Sequence, residues 1–163
     1  MRSTRAAVVV ALAIAAGCSQ APVPATDAGP HRQVISPDSQ VVAGLPFAPA
    51  VRTGNLIFLS GAIGNRPGTR ELVSPDVGEQ TRQAIQNLRA VLHAANADLG
   101  DVVKCTVFLA DINDYAAMND AYAAVFDDSP PARSTVAGSG LALGARVEIE
   151  CIAAATPGSN SNS

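Results

Sequence analysis

The 163-residue chain has no tryptophan, and its four phenylalanines and two tyrosines bring aromatics to 4% of residues. A core must therefore be built largely from aliphatic side chains. Lysine and arginine number 11 against 14 acidic residues, and they form no run. That composition gives no footprint for a nucleic acid. Of two histidines, His31 lies in a Pro/Ala-rich stretch and His93 among alanines of a helical segment. Neither joins cysteines or carboxylates at metal-ligand spacing, so no metal is expected. No Gly-x-Ser-x-Gly elbow is present, which argues against a serine nucleophile at Ser60. No apolar run reaches the about 20 residues that span a bilayer. There is no internal repeat, and the length suits one domain.

What is present begins with an export signal. Arg2 and Arg5 precede an apolar run of eleven residues, Ala6 to Ala16, that ends in Ala15-Ala16-Gly17-Cys18. This end resembles the bacterial lipobox, with Ala15 where leucine is more usual. The resemblance implies that residues 1–17 are a lipoprotein signal peptide and that Cys18 carries a diacylglyceryl thioether as the first mature residue. The protein is then periplasmic, held to a membrane through its lipid alone. Ser19 in place of aspartate favours the outer membrane. An ordinary secretory signal with a chance cysteine is the alternative. Residues 18–31, with Pro22, Pro24 and Pro30, bury too little surface to order themselves and read as a tether. Residues 32–156 form the folded unit, and 157–163, mostly Gly, Ser and Asn, an unstructured tail.

Within the folded unit the patterns alternate. Arg32 to Ile35, Phe47 to Thr53 and Leu56 to Ser60 read as short strands, with a turn at Gly54-Asn55. Asp76 to Ala97 is helical, with an Asp76/Glu79 capping pair and an apolar stripe of Ile85, Leu88, Val91, Leu92 and Ala95. Val102 to Ala110 alternates as a strand, Val103, Cys105, Val107 and Leu109 on one face, Lys104, Thr106 and Phe108 on the other. A second helix runs from Asn113 to Phe126, with Tyr115, Met118, Tyr122 and Val125 inward, and Pro130-Pro131 stops it. Strands Arg133 to Ala137 and Ala145 to Ala154 follow. The order predicts an α+β domain: a mixed sheet with two helices on one face. The other face, carrying Thr106, Phe108 and Ile152 beside Glu148 and Glu150, is expected to meet another subunit. Cys105 and Cys151 sit on apolar strand faces and read as buried thiols; a disulfide is the alternative should the strands be neighbours.

The chemistry concentrates in Pro131-Ala132-Arg133-Ser134-Thr135-Val136 and Arg146-Val147-Glu148-Ile149-Glu150. A hairpin through Gly138 to Gly144 would bring Arg133 and Glu148 to one end of a sheet. A guanidinium is always charged and takes a carboxylate in two hydrogen bonds. A nearby carboxylate can orient or deprotonate water. The pair predicts a site where water attacks a small anionic substrate. For Arg133 the bland alternative is a salt bridge at a subunit contact; for Glu148 it is a solvated sheet-face carboxylate.

These segments, together with Ser60-Gly61, Gln80-Thr-Arg-Gln-Ala-Ile-Gln-Asn-Leu, Val103-Lys-Cys-Thr-Val-Phe-Leu-Ala-Asp and Ile112-Asn-Asp-Tyr-Ala-Ala-Met-Asn119, resemble the RidA family of reactive-intermediate deaminases, also called YjgF-like, from Phe47 to Ala154. The resemblance implies a chorismate-mutase-like fold, a homotrimer with sites between subunits, and a 2-iminobutanoate/2-iminopropanoate type of deaminase that turns imino or enamine acids into 2-keto acids and ammonia without a cofactor. Carried over, Arg133 grips the substrate carboxylate, Glu148 activates water, and Phe47, Ser60, Gly61, Asn119 and Thr135 line the pocket. The family commonly has tyrosine where Phe47 stands and cysteine where Thr135 stands, so a phenolic donor and a thiol are absent. Those two departures favour a rival, a non-catalytic module that binds small carboxylates or metabolites in the cleft. A further rival is a structural, holdase-like envelope protein.

Overall fold

The computed structural model describes residues 32–38, 44–126 and 129–155. The expected signal peptide, Cys18, tether and tail lie outside them. Among the described residues the chain forms seven strands and two α-helices: β1 (Arg32–Ile35), β2 (Ala50–Thr53), β3 (Leu56–Leu59), β4 (Ala62–Ile63), α1 (Val77–Ala94), β5 (Val102–Leu109), α2 (Tyr115–Ala123), β6 (Ala132–Ala137) and β7 (Val147–Ala154). They make one mixed sheet in the order β1-β2-β3-β7-β5-β6, with β4 paired to the first half of β7. The α+β architecture follows the sequence, and β4 is the element it did not announce.

Helix α1 begins as its sequence asks. Asp76 is the N-cap, its Oδ1 accepting from the Glu79 backbone N–H at 2.8 Å. It stops at Ala94, three residues before the expected end, because Asn96 takes a left-handed conformation at φ 53°. The Ala97 and Asn96 amides then donate back to the Leu92 and His93 carbonyls at 2.9 and 3.0 Å, closing a Schellman turn. The whole apolar stripe from Ile85 to Ala95 is buried against the sheet. The second helix starts later than expected: Ile112–Asp114 is a 3₁₀ turn, and Asp111 caps it by accepting from the Asn113 N–H.

Two strand expectations are corrected. Phe47 lies in a loop, and β2 begins at Ala50, because Pro46 and Pro49 cannot donate to a ladder. In β5 a bulge between Val102 and Lys104 buries Val102 and leaves Val103 outside at 48% exposure; Cys105, Val107 and Leu109 face the core as expected. In β7 Val147, Ile149, Cys151 and Ala153 are buried as expected.

The larger correction concerns the last two strands. β6 and β7 do not form a hairpin. Helix α2 is a crossover that returns the chain parallel to β5, so β6 pairs with β5 on its outer side. β7 then runs antiparallel to β5 on the inner side. Cys105 and Cys151 fall directly opposite one another in that ladder, their Cα atoms 4.1 Å apart, and are joined as a disulfide rather than left as separate thiols.

Candidate functional site

The register decides what each predicted site residue can meet. Arg133 pairs with Cys105, whose side chain points to the helices. Glu148 pairs with Phe108, on the opposite face of the same strand. Paired residues share a face and neighbours along a strand alternate. Within one chain Arg133 and Glu148 therefore stand on opposite sides of the sheet, contrary to the hairpin expectation. Each has its own well-formed surroundings.

The arginine half lies between the edge strand β6 and helix α2. Arg133 Nη2 donates to Asn119 Oδ1 at 2.7 Å and to the Tyr115 hydroxyl at 3.3 Å. The guanidinium carbon sits 4.6 Å above the centre of the Tyr122 ring. Tyr115, Asn119 and Tyr122 are spaced i, i+4 and i+7, one face of a helix. The spacing is legible in the sequence, but it is the fold that turns Tyr115 and Tyr122 toward the arginine; Tyr115 is exposed rather than packed inward. Tyr122 is buried, stacks on Phe126 with centroids 4.7 Å apart, and burial pushes its phenol up to about 12, offset in part by the Arg133 charge. Thr135 follows Arg133 on the same face. Among the described residues its Oγ1 and the Tyr122 hydroxyl are buried without a hydrogen-bond partner. Asn119, Tyr122, Pro131 and Arg133 border a cavity of about 410 Å³.

The glutamate half lies where β3 breaks into β4. Ser60 donates its hydroxyl to the Ala48 carbonyl at 2.7 Å, and its amide donates to Pro49, pinning the Phe47 loop. Ser60 is thus committed to the backbone. At Gly61 any Cβ would run into the Glu148 carboxylate, lying 2.8 Å from its Cδ, so glycine is required for Glu148 to occupy its place. Burial raises the Glu148 carboxyl above its ordinary range, and Glu150 on the same face raises it further. Lys104 also projects to this face, but its ammonium donates to Ser134 Oγ at 2.7 Å. Phe47, Ser60, Gly61 and Glu148 line one cavity of about 510 Å³.

Three further residues hold these halves and were not singled out by the sequence. Arg146 grips Asp114 with Nε and Nη2, both at 2.7 Å, tying the start of β7 to the start of α2. Gln80, fully buried, accepts from the Arg146 amide at 2.9 Å and donates to the Ser74 carbonyl at 2.7 Å. Buried Arg52 donates to the Ala155 and Ala95 carbonyls at 3.0 and 2.6 Å, clamping the end of α1 to the end of β7.

An α+β sheet backed by two helices, with this arginine and this glutamate on its last strands, defines a protein of the RidA/YjgF type. Residues 38–155 match the family profile described as endoribonuclease L-PSP, and the chain belongs to that family. It is 42% identical over 122 residues to the chloroplastic Reactive Intermediate Deaminase A of Arabidopsis thaliana, matching 75% of this chain and 65% of that protein. It is 42% identical over 126 residues to the 2-iminobutanoate/2-iminopropanoate deaminase of Capra hircus, covering 77% of this chain and 92% of the relative. Among solved structures, the YjgF gene product of E. coli superposes with a TM-score of 0.70 at 38% identity, covering 75% of this chain and 98% of that one.

Proposed function

We propose that this protein hydrolyses 2-imino acids and their enamine tautomers to 2-oxo acids and ammonia, at sites where the arginine half of one copy meets the glutamate half of another. The observation that carries the proposal is the split site: both halves are built in each chain, yet on opposite faces of the sheet. A homotrimer, in which each copy covers its neighbour's open face, joins them. The orphaned hydroxyls of Thr135 and Tyr122 beside Arg133 suit a half-site completed from outside.

The reaction adds water across the C=N bond of R–C(=NH)–COO⁻ and expels ammonia to leave R–CO–COO⁻. Arg133, its plane fixed by Asn119 and Tyr115, holds the substrate carboxylate. Glu148 takes a proton from the attacking water and returns one to the departing nitrogen. A raised carboxyl range suits this double role, because a group that titrates nearer neutrality both accepts and donates. General acid–base help of about 10²–10⁴-fold is enough for an imine, which is already electrophilic. Phe47 and Thr135 remove a phenol and a thiol at the pocket wall and leave the arginine–carboxylate chemistry in place.

In an assay that generates 2-iminobutanoate in situ and follows 2-oxobutanoate release, the wild type is expected to outpace the spontaneous reaction. Arg133→Ala and Glu148→Gln should each fall by about 10²-fold or more. Equal rates for wild type and Arg133→Ala sink the proposal. The Phe47 and Thr135 departures favour a second reading, a cleft that binds small carboxylates without turnover. It is the outcome if 2-oxo acids bind by calorimetry while no rate enhancement is seen. A nuclease reading of the family description meets a chain of net charge −3 with no basic run.

We further propose that the protein is exported and tethered through lipidated Cys18 on the periplasmic side of the outer membrane. The leader residues support this, and so does a disulfide in the folded unit, since such bonds persist in oxidising compartments. Mass spectrometry of protein from the membrane fraction should find a diacylglyceryl group on Cys18 and a linked Cys105–Cys151 peptide pair. An unmodified or absent Cys18 ends the anchoring reading, and free thiols end the redox argument.

A further inference from the structure

Three large apolar side chains stand around the glutamate half without burial: Leu45 is 42% exposed, Phe47 55% and Leu143 54%. All three line the cavity that holds Glu148, and Pro49, Ile63 and Val91 continue its apolar wall. Leu143 is the informative one. It sits at φ 59°, ψ 16°, the left-handed region that a side chain with a Cβ enters at a cost of about 1 kcal/mol or more. The loop around it is otherwise glycine-rich: Gly140 and Gly144, at φ 148° and 73°, flank it within three residues. A glycine at 143 would relieve the backbone. A leucine there places an apolar side chain among the residues lining the cavity, exposed in the single chain at the expense of both conformation and solvation. A strained, exposed residue lining the same cavity as Glu148 is a candidate for function rather than folding.

We infer that Leu143, with Leu45 and Phe47, forms a receptor for the substrate's side chain, and that this protein prefers 2-imino acids bearing a branched or aromatic side chain of four or more carbons over the three- and four-carbon imino acids named for its relatives. The inference rests on the deaminase reading for its chemistry, and on the cavity alone for its selectivity. In a single chain, before a second copy closes on it, the cavity of about 510 Å³ has room for more than a methyl side chain. Asn65, Thr69, Arg70 and Asn87 also line it, while Leu45, Phe47, Leu143, Pro49 and Ile63 offer dispersion and desolvation to carbon. Discrimination by an apolar pocket runs at about 10–200-fold for one methylene-sized change, so a whole isobutyl or benzyl group should be clearly separated from methyl.

The test compares imines released in situ from alanine, leucine and phenylalanine by an amino-acid oxidase, with calorimetry of pyruvate and 4-methyl-2-oxopentanoate alongside. For the wild type, kcat/KM for the leucine- and phenylalanine-derived imines should exceed that for the alanine-derived imine by about 10-fold or more. In Leu143→Gly that ratio should fall several-fold while the unfolding midpoint holds or rises, since the backbone strain is gone. A wild-type ratio at or below one, or a ratio that Leu143→Gly does not move, overturns the inference. So does a Leu143→Gly chain that loses its oligomeric state by light scattering with selectivity intact, which would make Leu143 a subunit contact. Should no imine be turned over, the deaminase reading fails by itself. Tighter binding of 4-methyl-2-oxopentanoate than of pyruvate, weakened by Leu143→Gly, would still uphold the receptor, and equal binding would remove it.

Discussion

At the scale of single residues, the proposed chemistry depends on how two charges are prepared. Arg133 is held from the protein side by Asn119 and Tyr115 and lies over Tyr122, so its orientation is set before a carboxylate arrives. Glu148 is prepared in the opposite sense. It is partly desolvated against Gly61, and Glu150 adds like charge on the same face, so its proton is held above the ordinary carboxylate range. A carboxyl raised in this way favours the folded state in its protonated form. That contribution is present below the unfolded pKa and is lost as pH rises through the folded one. For catalysis the sign is opposite, because the base acts when ionised: kcat/KM should rise with pH through the Glu148 titration. Glu150→Gln removes the like charge and should move this acid limb to lower pH, while Glu148→Gln should abolish it. A limb that stays put or climbs in Glu150→Gln means that Glu148 is not the titrating group.

At the scale of elements, the sequence was readable wherever a local rule governed. The α1 stripe, its Asp76 cap and the alternation of β7 follow from periods of 3.6 and 2 and from side chains that satisfy orphan amides. The same local logic missed what depends on backbone geometry. Asn96 ends α1 by turning left-handed, and a bulge shifts the start of β5, so Val102 rather than Val103 is buried. The two-residue strand β4 is too short to show a period. Pairing order was beyond reach for a different reason. A Gly-rich loop between two strands suggests a hairpin, whereas a helix between two strands suggests a parallel crossover, and here the crossover through α2 places β5 between β6 and β7. That one fact moves Arg133 and Glu148 to opposite faces and sets Cys105 against Cys151. The candidate residues could therefore be named from the sequence, though the faces they occupy could not. Tyr115 and Tyr122 show the limit well: their helical spacing reads as core, because nothing local says that an arginine lies over them.

At the scale of the whole molecule, one chain carries the two proposed half-sites on opposite faces of its sheet. The face opposite the helices carries Phe58, Phe108, Val136 and Ile152 beside Glu148 and Glu150, with Phe58 at 43% and Val136 at 49% exposure. A face so apolar is not left to solvent in a soluble assembly. Among the described residues strand β6 is also an unpaired sheet edge, and Arg133 stands on it. Packing a second copy against the open face covers the apolar side chains and brings a foreign edge strand toward Glu148. In the proposed closed ring of three such contacts, every site would take Arg133 from one copy and Glu148 from the next. Inactive Arg133→Ala and Glu148→Gln chains should then rescue each other. Random assembly of equal amounts joins an intact Arg133 to an intact Glu148 at about one site in four, so the mixture should recover about a quarter of wild-type activity. Mixing either chain with the Arg133→Ala/Glu148→Gln double variant should recover none. If co-expressed single variants stay as inactive as each is alone, while forming mixed oligomers, then the two groups do not serve one site across copies.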